Sequence, residues 1–468
     1  MTGSLTGAIR ETEYPDIGLL RPVGTAIKDK GVRTMLDAIV IGAGMAGITA
    51  ARDLAASGLS VCVVEARDRI GGRVYSVRDF CDEPVEGGAE FIHGVGAATW
   101  PDAMAAGVEA RPCPLTRHTM FSLGGRPRWL PWILLHPGVW PSFPILMKVA
   151  RFKPPDMSAR EFIDKQGYRG HARVMAQMVL TAHLPGSVDE VGLLGLLEDN
   201  VLKLETGLNH RIVEGYDSVV SHIARDLDVR LGFGVESIDW SGDGVVIRST
   251  GGEELSARAA ITTLPLGVLK SGKVRFKPEL PAGKHEAFEG LVAGPVVKVL
   301  LHFKERFWPR WLANLPCGTG PVTLYWPVFY GAKYETQAVL TAYATGPRAA
   351  RLSEVSEDEA TEICISDLER LFPKADPRGQ LVARRRIDWA ADPFACGGYT
   401  LVRPGGAGSR VKLTAADTGA LFWAGSATST PVIAATVESA FVSGLRAAGD
   451  VRALLGGAAA RDRPVAGA

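Results

Sequence analysis

Gly42-Ala43-Gly44-Met45-Ala46-Gly47 reads G-x-G-x-x-G, and Glu65 follows at the end of the next apolar run, Val61-Cys62-Val63-Val64. This spacing suits a dinucleotide. The first glycine permits a tight turn, the second lets backbone approach a pyrophosphate, and the third allows a helix to pack closely on a strand. Met45 and Ala46 then open a helix whose N-terminus faces the phosphates. A carboxylate at Glu65 would accept hydrogen bonds from a ribose hydroxyl and repel a phosphate in its place. The competing reading is an ordinary βαβ turn. Strand, motif, helix, strand and acid in register argue for the ligand, although this fingerprint alone does not separate FAD from NAD.

Glu65-Ala66-Arg67-Asp68-Arg69-Ile70-Gly71-Gly72-Arg73-Val74 adds a second glycine pair and a cation directly after the ribose acid. Backbone at Gly71 and Gly72 can approach a cofactor closely, and Arg73 brings charge and donors to a pyrophosphate or a ring. From here the sequence resembles the flavin-containing amine oxidase family, which includes monoamine oxidases, polyamine oxidases and flavin-dependent histone demethylases. The likeness runs through residues 35–455. It implies FAD as cofactor, with Ala66 and Arg67 beside the nucleotide and Gly88-Ala89-Glu90-Phe91 as a second loop passing the isoalloxazine ring. His93, just beyond, matches a histidine of many polyamine oxidases and would face the substrate; without the resemblance it reads as a satisfied core or surface group. Arg211-Ile212-Val213-Glu214-Gly215-Tyr216 resembles the return to the FAD domain, where Val235 backbone would meet the adenine. Thr263-Leu264-Pro265-Leu266-Gly267-Val268 is a recognisable family signature with a structural role and no chemistry assigned.

Lys298 lies in Val296-Val297-Lys298-Val299-Leu300-Leu301-His302-Phe303, whose period-two alternation alone predicts a half-exposed strand with the lysine in solvent. The resemblance implies instead a lysine near flavin N5 that assists reoxidation or proton movement. Trp389 opens the loop that would cover the flavin, and Tyr399 would form one wall of an aromatic cage for an amine, against a reading of plain core packing. Where monoamine oxidases carry the cysteine that bonds to FAD, this chain has Gly398, with Cys396 two residues early, so FAD is expected to be non-covalent. Gly425 and Ser426 precede the last flavin-binding helix, which starts at Thr436 and Val437 and would turn its positive end towards the ring. Thr436 occupies the second cage position, and Ser426 stands where most relatives outside the monoamine oxidases have Glu. The implied reaction is hydride transfer from an amine to flavin N5, giving an imine, with dioxygen reduced to hydrogen peroxide. A polyamine is the first substrate expectation, and a monoamine or L-amino acid the alternative. A peptide demethylase-like or interaction protein and a nicotinamide-dependent dehydrogenase are the contrasting readings.

The elements that must position these groups follow from the rest of the chain. At 468 residues two interlocked domains are expected: an α/β, Rossmann-like FAD-binding domain over 35–110, 206–290 and 385–456, interleaved with an α+β substrate domain over 111–205 and 291–384. Residues 1–34 read as an extension and 457–468 as a tail. Strands are expected at 38–41 and 61–64, helical pattern over 159–204, short strands over 229–260, one acidic helix near 353–371 and a closing helix over 436–448. Lys and Arg total 52 against 51 Asp and Glu, which gives no footprint for nucleic acid. Small-molecule amine and dioxygen are the expected partners, in a monomer or homodimer. Six scattered cysteines without metal-ligand spacing read as reduced thiols in a cytoplasmic protein with no metal. Residues 129–147 carry no Asp, Glu, Lys or Arg, but Pro131, Pro137, Pro141 and Pro144 would break a spanning helix. A buried wall of the substrate cavity is expected there, with shallow membrane contact as the alternative and no stable membrane span.

Overall fold

The computed structural model describes residues 20–21, 35–113, 118–201, 208–330 and 337–461. The expected extension and tail fall outside these residues, apart from Leu20–Arg21 and the backbone of the closing helix as far as Arg461.

Leu36–Ile41 forms a strand because its apolar residues can be covered on both sides, as parallel strands require. It lies at the middle of a nine-stranded sheet, parallel to Val61–Val64 on one side, with Val40 opposite Val63, and to Glu254–Thr262 on the other, with Val40 opposite Ile261. Leu421–Trp423 also pairs with Glu254–Thr262, so the C-terminal flavin segment joins the same sheet as the N-terminal one. Helices Met45–Ala56 and Val437–Arg461 cover one face around Val40, Ile48, Leu54, Phe441 and Val451. They cross closely. A Cβ on Gly444 would sit 2.3 Å from the Ala46 carbonyl oxygen, so glycine is what permits the contact. The architecture is α/β with a Rossmann-like core, and the closing helix runs well past the expected end at 448.

The second sheet is antiparallel and five-stranded, in the order Leu315–Pro316, Leu324–Pro327, Ala338–Thr345, Val296–Phe303, Leu381–Asp388. Alternation assigns the faces of Val296–Phe303 correctly but not their exposure. Val297, Val299, Leu301 and Phe303 enter one core, while Leu300 packs with Val77, Phe80 and Val328 in another. Both faces are covered, and Lys298 is 3 % exposed rather than solvated. The expected boundary at 384/385 falls inside Leu381–Asp388, which pairs along this strand throughout. The expected helix near 353–371 begins at Glu357, because the Ser356 hydroxyl accepts from the Glu359 N–H at 3.1 Å and caps a new helix after Gly346–Ser353.

Residues 129–147 fold as a short helix Leu130–Leu135, a 3₁₀ turn Trp140–Ser142 and the start of helix Ile145–Ala150. Ile133, Val139 and Ile145 are buried, but Trp129, Leu134, Leu135, Trp140, Phe143 and Met147 are exposed, which corrects the expectation of a wholly buried wall. Among the described residues no helix is long and apolar enough to cross a membrane.

Candidate active site

A cavity of about 870 Å³ runs from the G-x-G-x-x-G turn to residues 119–201. Its nucleotide end is a cradle of backbone. Helix Met45–Ala56 starts at Gly44 with no side-chain cap, so the first-turn N–H groups at Met45 and Ala46 have no helical acceptor and border the cavity. A Cβ on Gly44 would meet nothing nearer than the Gly71 carbonyl at 4.0 Å, and one on Gly72 only the Gly44 Cα at 3.4 Å; side chains here would fill the cradle. Gly47 differs. It does not line the cavity, and its Cβ would stand 1.9 Å from the Gly42 carbonyl oxygen, so its part is helix–strand packing. The Glu65 carboxylate accepts from the Ala43 N–H at 2.8 Å and the Arg67 N–H at 3.0 Å, which fixes it at the end of its strand. Arg67 grips Asp392 through two bonds of 2.9 and 2.6 Å and ties this turn to the Trp389 loop. An uncapped helix N-terminus, an open glycine cradle and a fixed acid are what a dinucleotide requires.

Arg73 is half-buried and donates to the Gly398 carbonyl at 2.5 Å and to the Ser426 hydroxyl at 3.2 Å. Burial without a bonded carboxylate pulls its guanidinium down to about 10. Trp389 donates its indole N–H to the Gly87 carbonyl at 3.0 Å. At the far end of the cradle Val437 begins the closing helix, and the Thr436 hydroxyl, expected as a cage position, caps it by accepting from the Ser439 N–H at 3.1 Å. Ala66, Gly88, Ala89, Phe91, Val235 and Gly425 border the same cavity.

Lys298 projects from its strand into a buried charged cluster. Its ammonium donates to the Glu86 carbonyl and to the Glu90 carboxylate, each at 2.8 Å, and stands 5.2 Å from the centre of the Trp326 ring. Glu90 also pairs with Arg211, and its two oxygens share the Trp326 indole N–H at 3.0 and 3.1 Å. Burial pushes Glu90 up, yet Lys298 and Arg211 outweigh it and hold the carboxyl below its usual range. Neighbouring Glu86 goes the other way. Burial pushes it up to about 8, the Tyr216 N–H bond opposing and the Glu90 charge adding.

The walls above are aromatic. The Tyr399 hydroxyl donates to the His183 carbonyl at 2.5 Å, so the 2.7 Å contact with Tyr343 must be donated by Tyr343. Trp326 lies 5.2 Å from the Tyr343 ring. His93 Nδ1 is 2.8 Å from the Asn209 amide oxygen, which can only accept, so Nδ1 carries the proton and Nε2 keeps a lone pair. Burial pulls His93 below the ordinary histidine range, with the Asn209 bond opposing and the His183 charge adding.

Expected residues and unexpected ones thus meet. Lys298, Tyr399, His93 and Thr436 all border the cavity, as do Tyr343, Trp326, Asn209, His183 and Asp199, which sequence reasoning did not single out. Tyr343 stands directly opposite Lys298 in the antiparallel pairing and Asn209 opposite His93, and no local pattern reveals either register. Asp199 is bound by fully buried Arg410 at 2.6 and 2.8 Å. Cys396 does not line the cavity; its thiol lies 3.5 Å from the Pro393 carbonyl.

The family model described as flavin containing amine oxidoreductase matches residues 45–160 and 142–452. Polyamine oxidase 3 of Oryza sativa subsp. japonica is 30% identical over 459 residues, covering 89% of this chain and 89% of that protein. Lysine-specific histone demethylase 1B of Mus musculus is 28% identical over 453 residues, and the chain spans 52% of its length. Two solved structures share the fold: cyclohexylamine oxidase from Brevibacterium oxydans IH-35A, with TM-score 0.77 and 21% identity over 90% of this chain and 100% of that one, and wild-type putrescine oxidase bound to putrescine, with TM-score 0.77 and 20% identity over 90% and 99%.

Proposed function

The chain belongs to the flavin-containing amine oxidoreductases, enzymes that bind FAD and oxidise small amines with dioxygen, and on that premise we propose that its substrate is a monoamine bearing an apolar group. The observation that carries this reading is the cavity itself. One continuous space joins the dinucleotide cradle to a chamber where Lys298, Tyr399, Tyr343 and His93 converge under an apolar lining from Phe121, Leu130, Ile133, Met175 and Val179.

When bound, FAD supplies the redox chemistry, accepting a hydride from the carbon beside the nitrogen and returning the electrons to dioxygen as hydrogen peroxide. The chain's own groups hold and orient. Met45 and Ala46 N–H groups and Arg73 would bind the pyrophosphate, Glu65 a ribose, and Val235 backbone the adenine. The dipole of the helix from Val437 favours negative charge at its start. Tyr399 and Tyr343, locked by their hydroxyl chain, offer aromatic faces to an amine. The Nε2 lone pair of neutral His93 can accept a hydrogen bond from the substrate nitrogen. Lys298 donates two of its three N–H bonds to Glu86 and Glu90, which leaves one for water or oxygen in the cavity. Apolar walls keep bulk water away from the reacting carbon until the imine is hydrolysed.

A polyamine remains the reading that His93 and the open Thr436 position support. Its distal ammonium would need a carboxylate, however, and among the described residues the acids bordering the chamber are engaged: Glu90 by Lys298 and Arg211, Asp199 by Arg410. Likewise an L-amino acid would need a free arginine, and among the described residues the arginines bordering the cavity are Arg67, bonded to Asp392, and Arg73, which the pyrophosphate would engage. Gly398 supports non-covalent FAD, since a Cβ there would lie 2.3 Å from a Val296 methyl; acid should release the flavin without proteolysis. Peroxide release with aliphatic and aromatic monoamines, spermidine, spermine, putrescine and L-amino acids tests the assignment. The highest kcat/KM should fall on an apolar monoamine. A preference for spermine or spermidine would overturn it in favour of the polyamine reading.

A further inference from the structure

The chain as a whole is nearly neutral, yet no Asp or Glu occurs between Glu109 and Asp156, while Arg126, Arg128, Lys148, Arg151 and Lys153 in that interval are all exposed. The same interval holds six of the seventeen exposed large apolar side chains among the described residues: Trp129, Leu134, Leu135, Trp140, Phe143 and Met147. Singly exposed apolar residues are ordinary, but six within nineteen residues, in an interval whose charged side chains are all cationic, mark an interaction surface. All three exposed tryptophans belong to it, because Trp311 packs against Trp129 with ring centres 6.0 Å apart.

The fold holds this face outward. Ile133 and Val139 are anchored against Met175 and Met178, and Ile145 and Val149 against Phe162 and Ala176, so the intervening apolar side chains have no inward place left. The face is also continuous with the cavity, for Leu134 and Phe143 are exposed and line it at once. Tryptophans with long cations around an apolar patch match the water–hydrocarbon boundary of an anionic bilayer, where rings sit at headgroup level and Lys and Arg reach the phosphates. Among the described residues no helix is long and apolar enough to cross a membrane, and this face is suited to resting on the surface of one.

We propose that residues 126–153 dock the protein on an anionic phospholipid surface with the cavity mouth turned towards the lipid. The chemistry that would recognise this face is a bilayer interior for Leu135, Trp140 and Met147 and anionic headgroups for the flanking cations.

Co-sedimentation of the FAD-loaded protein with vesicles of phosphatidylcholine alone, or mixed with phosphatidylserine, tests the proposal. Binding to the mixed vesicles should exceed that to phosphatidylcholine by roughly tenfold and weaken with salt. Arg151→Glu/Lys153→Glu should abolish the preference, and Leu135→Ser/Met147→Ser should weaken binding to both vesicles; neither should change amine oxidation in free solution. Wild-type protein that stays in the supernatant with both vesicles overturns the proposal. So does a stable dimer that Leu135→Ser/Met147→Ser converts to monomer without vesicle binding, which would make the face an interface between two copies. The charge variant keeps the test decisive if the apolar variant fails to fold.

Discussion

Replacing Lys298 by Met keeps most of the side chain's length and removes its charge and three donors. The Glu86 carbonyl and one Glu90 oxygen would each lose a bond of 2.8 Å inside a cluster that is 3 % exposed at Lys298. Breaking one partner out of a buried ion pair costs about 3–5 kcal/mol. Arg211 and Trp326 remain on Glu90, so the loss should lie at or below the lower figure, and the variant should fold with a melting point several degrees down. The functional effect is separable from that loss. If the third N–H of Lys298 serves oxygen, its removal should slow reoxidation by at least tenfold, about 1.4 kcal/mol of barrier, while the amine half-reaction changes little. Stopped-flow absorbance of flavin-loaded protein resolves the two: amine under anaerobic conditions reports reduction, and the reduced protein mixed with aerated buffer reports reoxidation. A variant that reoxidises at the parental rate, or loses both steps equally, refutes the assignment of Lys298 to oxygen.

Glu86, raised to about 8 against an ordinary 4.5, contributes stability that is fully present below 4.5 and is lost as pH rises through 8. The slope should approach about 1.4 kcal/mol per pH unit and the full span roughly 5 kcal/mol. Glu86→Gln should flatten that slope in denaturant melts at several pH values; parallel wild-type and variant profiles would discard the idea. Tyr343→Phe removes the donor to Tyr399 and should raise KM severalfold with flavin content unchanged, whereas an unaltered KM would reduce Tyr343 to packing. Ser426→Glu would give Arg73 a carboxylate and should slow flavin loss on dialysis; faster loss would show that the cavity cannot hold the longer side chain.

What the sequence made legible is local. Gly42, Gly44, Gly47 and Glu65 act through backbone contacts within one strand–turn–helix–strand unit, and their spacing alone describes the cradle. The alternation at Val296–Phe303 likewise assigns both faces. It says nothing of what lies over them, and so misjudges the exposure of Lys298. Tyr343 reaches the site through pairing with the distant strand Val296–Phe303, Trp326 through its place beside Ala338–Thr345, and Asn209 through its register with His93. Such partners are set by which distant segment supplies the neighbouring strand. The run at 129–147 failed differently: apolar composition implies burial, and here half-turns alternate between core and surface.

An amine and FAD would have to meet in this cavity for the proposed reaction to occur. Spectral titration of the purified protein under anaerobic conditions tests it most directly. Flavin absorbance should bleach on addition of an apolar monoamine and return with air, releasing hydrogen peroxide. Protein that carries no flavin and takes up none on reconstitution, or whose flavin no amine reduces, would contradict it.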